Sequence, residues 1–409
     1  MSEVVSDFIK RASLVSVKSA AKTLGLKLPK ILDAGMPCPR CGGKDRFAVN
    51  PNKGVWNCRN CGGGKNGLGL VAHVRGFDLH DRAELLQASS LLLSESIPDD
   101  AAGETNEQRA AREARMTAAL EAAERDREKE ERDQNAFRER AVMKARGIYF
   151  NASEAPADGD HDLREYLRRR TGYRMPDAMF SNIRFNPRLT YWSDKQDDRG
   201  HQTEIYVGYA MVAPFINLEG QVTGCHQTWI DLRCSPKFRP DLGKDEKGVA
   251  YPTKKMRGTK VGSLIPVLGD LAAARWVGAE GIENVAAMAG FEGFREDTFY
   301  FAGGDLGNLS GKAEKMVAHP DQVKPDRNGR PRRVMVPGPV PKAGDVDAVA
   351  IPGHVDALVL LADGDSDFFF TANAMARAKA RATRDGRSIG IWWPPPGADW
   401  AGFFAGQRG

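Results

Sequence analysis

Residues 357–384, ALVLLADGDSDFFFTANAMARAKARATR, set an apolar run, an Asp-Gly-Asp turn and an Ala/Arg-rich segment end to end. The run up to Ala362 has the length of a buried strand, and 371–384 is dense in good helix formers. The same order recurs on both sides. RWVGAE (275–280) precedes GIENVAAMAG (281–290), TFYFAGG (298–304) precedes a Gly-rich loop, and SIGIWWP (388–394) closes the series. Strand-like runs alternating with helix-like ones predict a parallel sheet flanked by helices, over residues 267–409. The stretch 312–352, rich in Lys, Pro, Gly and Arg, interrupts the alternation and reads as an insertion with a basic surface.

Acids stand where these strands should end. Glu280 follows 275–279, Asp363 and Asp365 flank Gly364 after 357–362, and Asp399 follows the last run in PGADW. Parallel α/β sheets bind ligands at the carboxyl ends of their strands, so acids distant in sequence can converge there. Converging carboxylates repel unless a cation lies among them. Hard ions such as Mg²⁺ take one or two carboxylates plus water and substrate phosphate. Two such ions about 3.5–4 Å apart activate an attacking hydroxyl and stabilise a leaving oxygen. Asp-Gly-Asp alone is also an ordinary turn; the specificity lies in the combination. Glu283, one turn after Glu280, reads as a solvated helix residue.

Near the other end, Cys38, Cys41, Cys58 and Cys61 form two C-x-x-C pairs separated by sixteen residues. Four soft thiolates on Gly-rich knuckles suit a tetrahedral, closed, structural Zn²⁺ site. A redox dithiol or an iron–sulfur site are the alternatives. Between the pairs, KDRFAVNPNKGVWNC reads as a hairpin that sets Phe47 and Trp56 beside Lys44 and Arg46. Aromatics interleaved with cations can hold a single strand; they can equally pack a small ribbon. Cys225 and Cys234 have no partner motif and read as ordinary thiols.

The rest of the chain organises around these centres. Residues 1–35 read as a short helix pair and 77–92 as another helix, giving a first domain at 1–92. From Glu104 to about Arg146 the sequence is Ala, Glu and Arg without Pro, a charged helix within a linker at 93–148. An α+β domain follows at 149–266. LREYLRRRTG (163–172) reads as a helix, and YVGYAMVAPFIN (206–217) and VTGCHQTWID (222–231) as a hairpin. Its Lys254, Lys255, Arg257 and Lys260 are candidates for phosphate or template contact, or form a solvated basic loop. With 41% hydrophobic and 28% charged residues, a net charge of +5 and only six cysteines in 409, the composition suits a multidomain α/β protein and not a disulfide scaffold. No apolar run reaches the roughly 18 residues of a membrane span, and a cytoplasmic location (a bacterial cell or a phage-infected host) is expected.

CPRCGGKDRF, VWNCRNCGGG and GLGLVAHV together resemble the zinc-binding domain of phage and plasmid-type DNA primases, related to the DnaG type. The Glu-Gly strand end, the Asp-Gly-Asp strand end and GGDLGNLSG (303–311) resemble the Toprim domain of the same family, a Rossmann-like fold. The resemblance implies synthesis of RNA primers on single-stranded DNA from NTPs, with Glu280, Asp363 and Asp365 catalytic and Mg²⁺ (or Mn²⁺), two ions, held by them and by Asp399. Asp367 stands where this family often has a small residue, so it is open as an extra ligand or a helix cap. A Toprim nuclease and a non-catalytic DNA-binding accessory protein are the rival readings; no segment suggests a topoisomerase tyrosine domain. His73 reads as a surface or packing residue. No Walker motif appears, so a replicative helicase is expected as a separate polypeptide.

Overall fold

The computed structural model describes residues 2–29, 35–99, 103–154, 162–196, 201–245, 248–326 and 329–408. The chain divides into two compact units, 1–137 and 138–409. No helix among the described residues is long and apolar enough to cross a membrane.

The first unit opens with α1 (Glu3–Leu14) and α2 (Val17–Thr23). Ser2 and Ser16 accept the backbone amides of Val5 and Ser19 and so set where each helix starts. Four short strands follow, β1 (Met36–Cys38), β2 (Gly42–Asn50), β3 (Val55–Cys58) and β4 (Gly62–Lys65), as an antiparallel meander. Helices α3 (Asn66–Arg75) and α4 (Arg82–Leu93) complete the core with α1 and α2. Gly67 donates to Val15 O at 3.1 Å, and a Cβ there would lie 2.6 Å from that oxygen. Only glycine lets α3 start against the α1–α2 joint.

Helix α5 (Asn106–Phe150) runs from the first unit into the second. Arg112, near its start, is 8% exposed and binds Glu3, Asp7 and Glu104. Its middle is polar and carries i,i+4 pairs such as Glu121–Arg125 and Glu128–Arg132, whereas Ala145 and Tyr149 in its last turns are buried in the core of the second unit.

The second unit holds α6 (Asp162–Thr171) and then β5 (Arg184–Gln196), β6 (Gln202–Ile216), β7 (Val222–Trp229) and β8 (Lys254–Gly258), an antiparallel sheet in sequence order. There follow β9 (Ile265–Leu268), β10 (Arg275–Ala279), α7 (Ile282–Phe291), β11 (Thr298–Ala302) and α8 (Leu306–Ser310). Next come β12 (Met316–Pro325), β13 (Pro331–Pro337), β14 (Ala357–Leu361), α9 (Phe368–Ala382), β15 (Ser388–Trp392) and α10 (Trp400–Arg408). The second sheet has the order β15-β14-β10-β11-β9.

Two expectations change. The sheet is mixed rather than purely parallel: β10, β11, β14 and β15 run parallel, but β9 is antiparallel to β11. The six residues between β9 and β10 are too few for a parallel crossover, which needs a dozen or more. Within the insertion at 312–352, β12 and β13 pair as an antiparallel hairpin. Helix α9 begins at Phe368, earlier than 371, because the Asp367 carboxylate accepts the Phe370 amide at 2.8 Å. The core runs beneath both sheets, with Met211 and Phe215 of β6 in one buried cluster with Val277 of β10 and Tyr300 of β11.

Candidate metal centres and the acidic cleft

The four cysteines come together as their spacing requires. Their sulfurs all lie within 4.8 Å of one another, with Cys41 and Cys58 3.5 Å apart. A tetrahedron of zinc–sulfur bonds has edges of about 3.8 Å, so the set fits Zn²⁺. Each knuckle turns backbone amides onto its first sulfur: Arg40 and Cys41 donate to Cys38, and Cys61 donates to Cys58. Burial alone would raise the Cys58 thiol, but the amides of Cys61 and Asn60, together with the Cys41 and Cys38 sulfurs, bring it down to about 6. His73 is buried beside the site, its Nε2 3.4 Å from the Cys38 sulfur. Its ring stacks on Trp56 (4.4 Å between centres) and Phe47 (5.5 Å). Phe47 is fully buried and Trp56 8% exposed, so both pack the ribbon and are not free to stack bases. Lys44 and Arg46 alternate with Phe47 on β2 and are exposed.

The acids of the second unit meet in one cleft of about 290 Å³. Glu280 comes from the end of β10, Asp363 and Asp365 from the end of the adjacent parallel strand β14, and Asp399 from the start of α10. Burial raises the Glu280 carboxyl above its usual range, and the Asp363 charge adds to this. Burial likewise raises Asp363, with Asp365 and Asp399 adding repulsion. Asn284 Nδ2 donates to Asp363 at 2.8 Å, while its Oδ1 accepts the Ala401 amide, so it fixes the acid against α10. Asp399 caps α10 through Gly402 N and stands 3.4 Å from Arg170. Asp367 turns away from the acids to cap α9 and to accept from His319 and Gln322 (3.0 and 2.7 Å). It is the helix cap of the two roles left open.

Among the described residues, the cysteines alone draw three or more ligand atoms within 4.8 Å. The acids of the cleft do not bring three ligand atoms that close together. Carboxylates that raise one another's pKa are the donor set a divalent cation relieves.

Glu283 overturns its expectation. It is not solvated but 4% exposed, accepting from Tyr166 OH at 2.8 Å, Arg239 at 2.7 Å and Lys254 at 3.3 Å. Burial would raise its pKa, yet Lys254, Arg239 and Arg170 overcome this and hold it well below the carboxylate range. Of the basic candidates, Lys254 lines the cleft. Lys255 donates to Trp192 O and lies over the Tyr191 ring, and alternation puts Arg257 on that same face, away from the acids. Lys260 pairs with Asp305, although its charge still reaches Glu280. Arg170, Lys237, Arg239 and His226 line the cleft without having been singled out from sequence. Asn284, in the first turn of α7, was likewise not singled out from sequence. His226 is buried, which lowers its pKa to about 3 and keeps the imidazole neutral.

Two family models match the chain. Residues 34–68 match the zinc-binding domain of primase-helicase, and residues 139–266 match a domain of unknown function, DUF7146. The four cysteines therefore sit in a zinc-ribbon domain, and the zinc is structural. Among solved structures, the chain is similar to the zinc-binding and RNA polymerase domains of the Aquifex aeolicus primase, at 13% identity over 100% of this chain and 83% of that one, with a TM-score of 0.34. It is similar to the DnaG primase catalytic domain bound to ssDNA (14% identity, 65% and 77% covered, TM-score 0.36). A DNA primase domain from Pseudomonas aeruginosa follows (11% identity, 64% and 73% covered, TM-score 0.33).

Two tests follow from the charges. A carboxyl with a raised folded pKa lends stability below its unfolded value and loses it as pH rises through the folded one. Without divalent ions, Glu280→Gln or Asp363→Asn should therefore raise the melting temperature at neutral pH. Mg²⁺ should stabilise the wild type more than either variant. Glu283 has the opposite sign: its contribution is present above 4.5 and is lost only as pH falls well below it. Glu283→Ala should destabilise the second unit by about 3–5 kcal/mol by stranding buried cations. Urea unfolding measures both. In the first unit, Cys58→Ser should abolish zinc retention and unfold the ribbon, since zinc contributes about 10–16 kcal/mol to such sites. Far-UV circular dichroism and metal analysis of the purified chain would show it.

Proposed function

We propose that this chain is a DNA primase that joins ribonucleotides on a single-stranded DNA template. The observation that carries the reading is the convergence of Glu280, Asp363 and Asp365 from adjacent parallel strands into one cleft with Lys254 and Arg239. The match of residues 34–68 to a primase-helicase zinc domain supports it.

In this reading Asp363 and Asp365 would hold Mg²⁺, and Asn284 fixes the Asp363 carboxylate by donating to it. The ion supplies charge neutralisation at the transferred phosphoryl group and a more acidic 3′-hydroxyl. Glu280, with its raised pKa, is placed to hold the proton that the attacking 3′-hydroxyl loses. Lys254 and Arg239, fixed by Glu283, put positive charge where the triphosphate of an incoming nucleotide lies. The α-phosphate then gains the 3′-oxygen and loses pyrophosphate. Lys44 and Arg46 of the ribbon engage the template backbone.

Incubation with single-stranded DNA, NTPs and Mg²⁺ should give short RNA products. Asp363→Asn should lower their yield by at least about 100-fold, the equivalent of several kcal/mol of lost metal stabilisation. Full synthesis by that variant would overturn the assignment, and template cleavage without synthesis would favour a nuclease.

A further inference from the structure

The β12–β13 hairpin has no part in the site just described. Its proximal half is anchored: His319 is 4% exposed and Val336 7%. Arg377 of α9, 3% exposed, donates to Gly338 O just beyond β13 and to Ser310 Oγ at 2.9 Å. The distal half is different. From Pro320 to Pro325, and again from Pro331 to Arg333, every residue is exposed, whichever way it points. A ribbon exposed on both faces is an arm that leaves the body of the unit.

The arm is basic. Its described residues between 320 and 334 hold four Lys or Arg (Lys324, Arg330, Arg332 and Arg333) against Asp321 and Asp326. Lys324 stands opposite Arg332, and Val323 opposite Arg333, so cations occupy both faces. Arg332 pairs with Asp326 at 3.1 Å, whereas Lys324, Arg330 and Arg333 make no ion pair among the described residues. Exposed apolar surface accompanies them. Val323 (53%), Met335 (52%) and Met316 (52%) share the face of Arg333, which suits a polymer that alternates charged phosphates with less polar sugars.

The place of the arm supplies the partner. Asp367 lies two residues beyond Asp365, and its carboxylate accepts from His319 and Gln322 of β12. The base of the arm is thereby tied to the loop that carries the acidic pair. A polymer in the cleft would therefore have the base of the arm near the loop of Asp363 and Asp365.

We infer that the distal β12–β13 arm binds the phosphodiester backbone of the nucleic acid that occupies the acidic cleft. This inference rests on the primase reading for what fills the cleft. A charged, Pro-bounded ribbon can also serve only to block edge-to-edge strand pairing, and the experiment separates the two roles.

The full-length, zinc-loaded protein is titrated against fluorescent single-stranded DNA and against a primer–template duplex, without added Mg²⁺ or nucleotides, over a range of salt. The variant combines Lys324→Gln, Arg330→Gln and Arg333→Gln. Affinity should fall about tenfold or more at low salt, and the slope of log K against log salt should shrink by about 2–3 as those phosphate contacts vanish. The charge-keeping variant (Lys324→Arg, Arg330→Lys, Arg333→Lys) should bind as the wild type does. Loss on the single strand alone assigns the arm to the template; loss on the duplex assigns it to the primer–template product. Unchanged affinity and slope on both, with or without aggregation, would overturn the inference in favour of edge protection. Equal competition by polyglutamate would overturn it in favour of an acidic protein partner. Because no synthesis is measured, the primase reading can fail in its own assay while the loss of binding still stands.

Discussion

Glu283 sits in the first turn of α7 with its carboxylate out of water, and a charge there is tolerated only when cations and donors come to it. They come from sequence-distant places: Tyr166 from α6, Arg239 from the segment after β7, Lys254 from β8. One buried charge thus fastens the antiparallel sheet and α6 to the helix that follows Glu280. It also fixes which cations face the cleft, because Lys254 and Arg239 cannot turn away without stranding it. Three residues earlier, Glu280 meets the opposite environment, where burial and neighbouring carboxylates raise its pKa. Two glutamates one turn apart are therefore driven to different roles, one a neutralised fastening and one a group that can take up a proton or a cation.

The first unit applies the same rule to thiolates. Its core is small, and Phe47, Trp56 and His73 stack where a larger domain would place aliphatic layers. The metal supplies the cross-link that this core lacks, with backbone amides and His73 around the sulfurs.

Much of this was legible in sequence because it follows from local spacing. Two C-x-x-C pairs on Gly-rich knuckles favour zinc over a dithiol or an iron–sulfur site, and each strand that ends in an acid announces the carboxyl edge of a parallel sheet. Helix α5 shows itself by composition. What escaped depends on contacts between distant segments. Glu283 was read as solvated because helical spacing does not say which side of a short helix will be covered, and here both sides are. Arg170, Lys237, Arg239 and His226 lie in runs with no motif, and only the fold brings them to the cleft. Lys254 and Lys255 looked alike, yet β-strand alternation sends one to the acids and the other to Tyr191. The antiparallel β9 was hidden because a four-residue apolar run carries no direction.

In the proposed function Glu280, Asp363 and Asp365 form a divalent-cation site rather than an uncompensated cluster of charges. Crystals of the protein grown with Mn²⁺, with anomalous scattering recorded near the manganese edge, distinguish the two. A cation site gives anomalous density bounded by the carboxylates of Asp363 and Asp365 and within reach of Glu280. Density confined to other acids, or none in the cleft when Mn²⁺ is abundant, would contradict it.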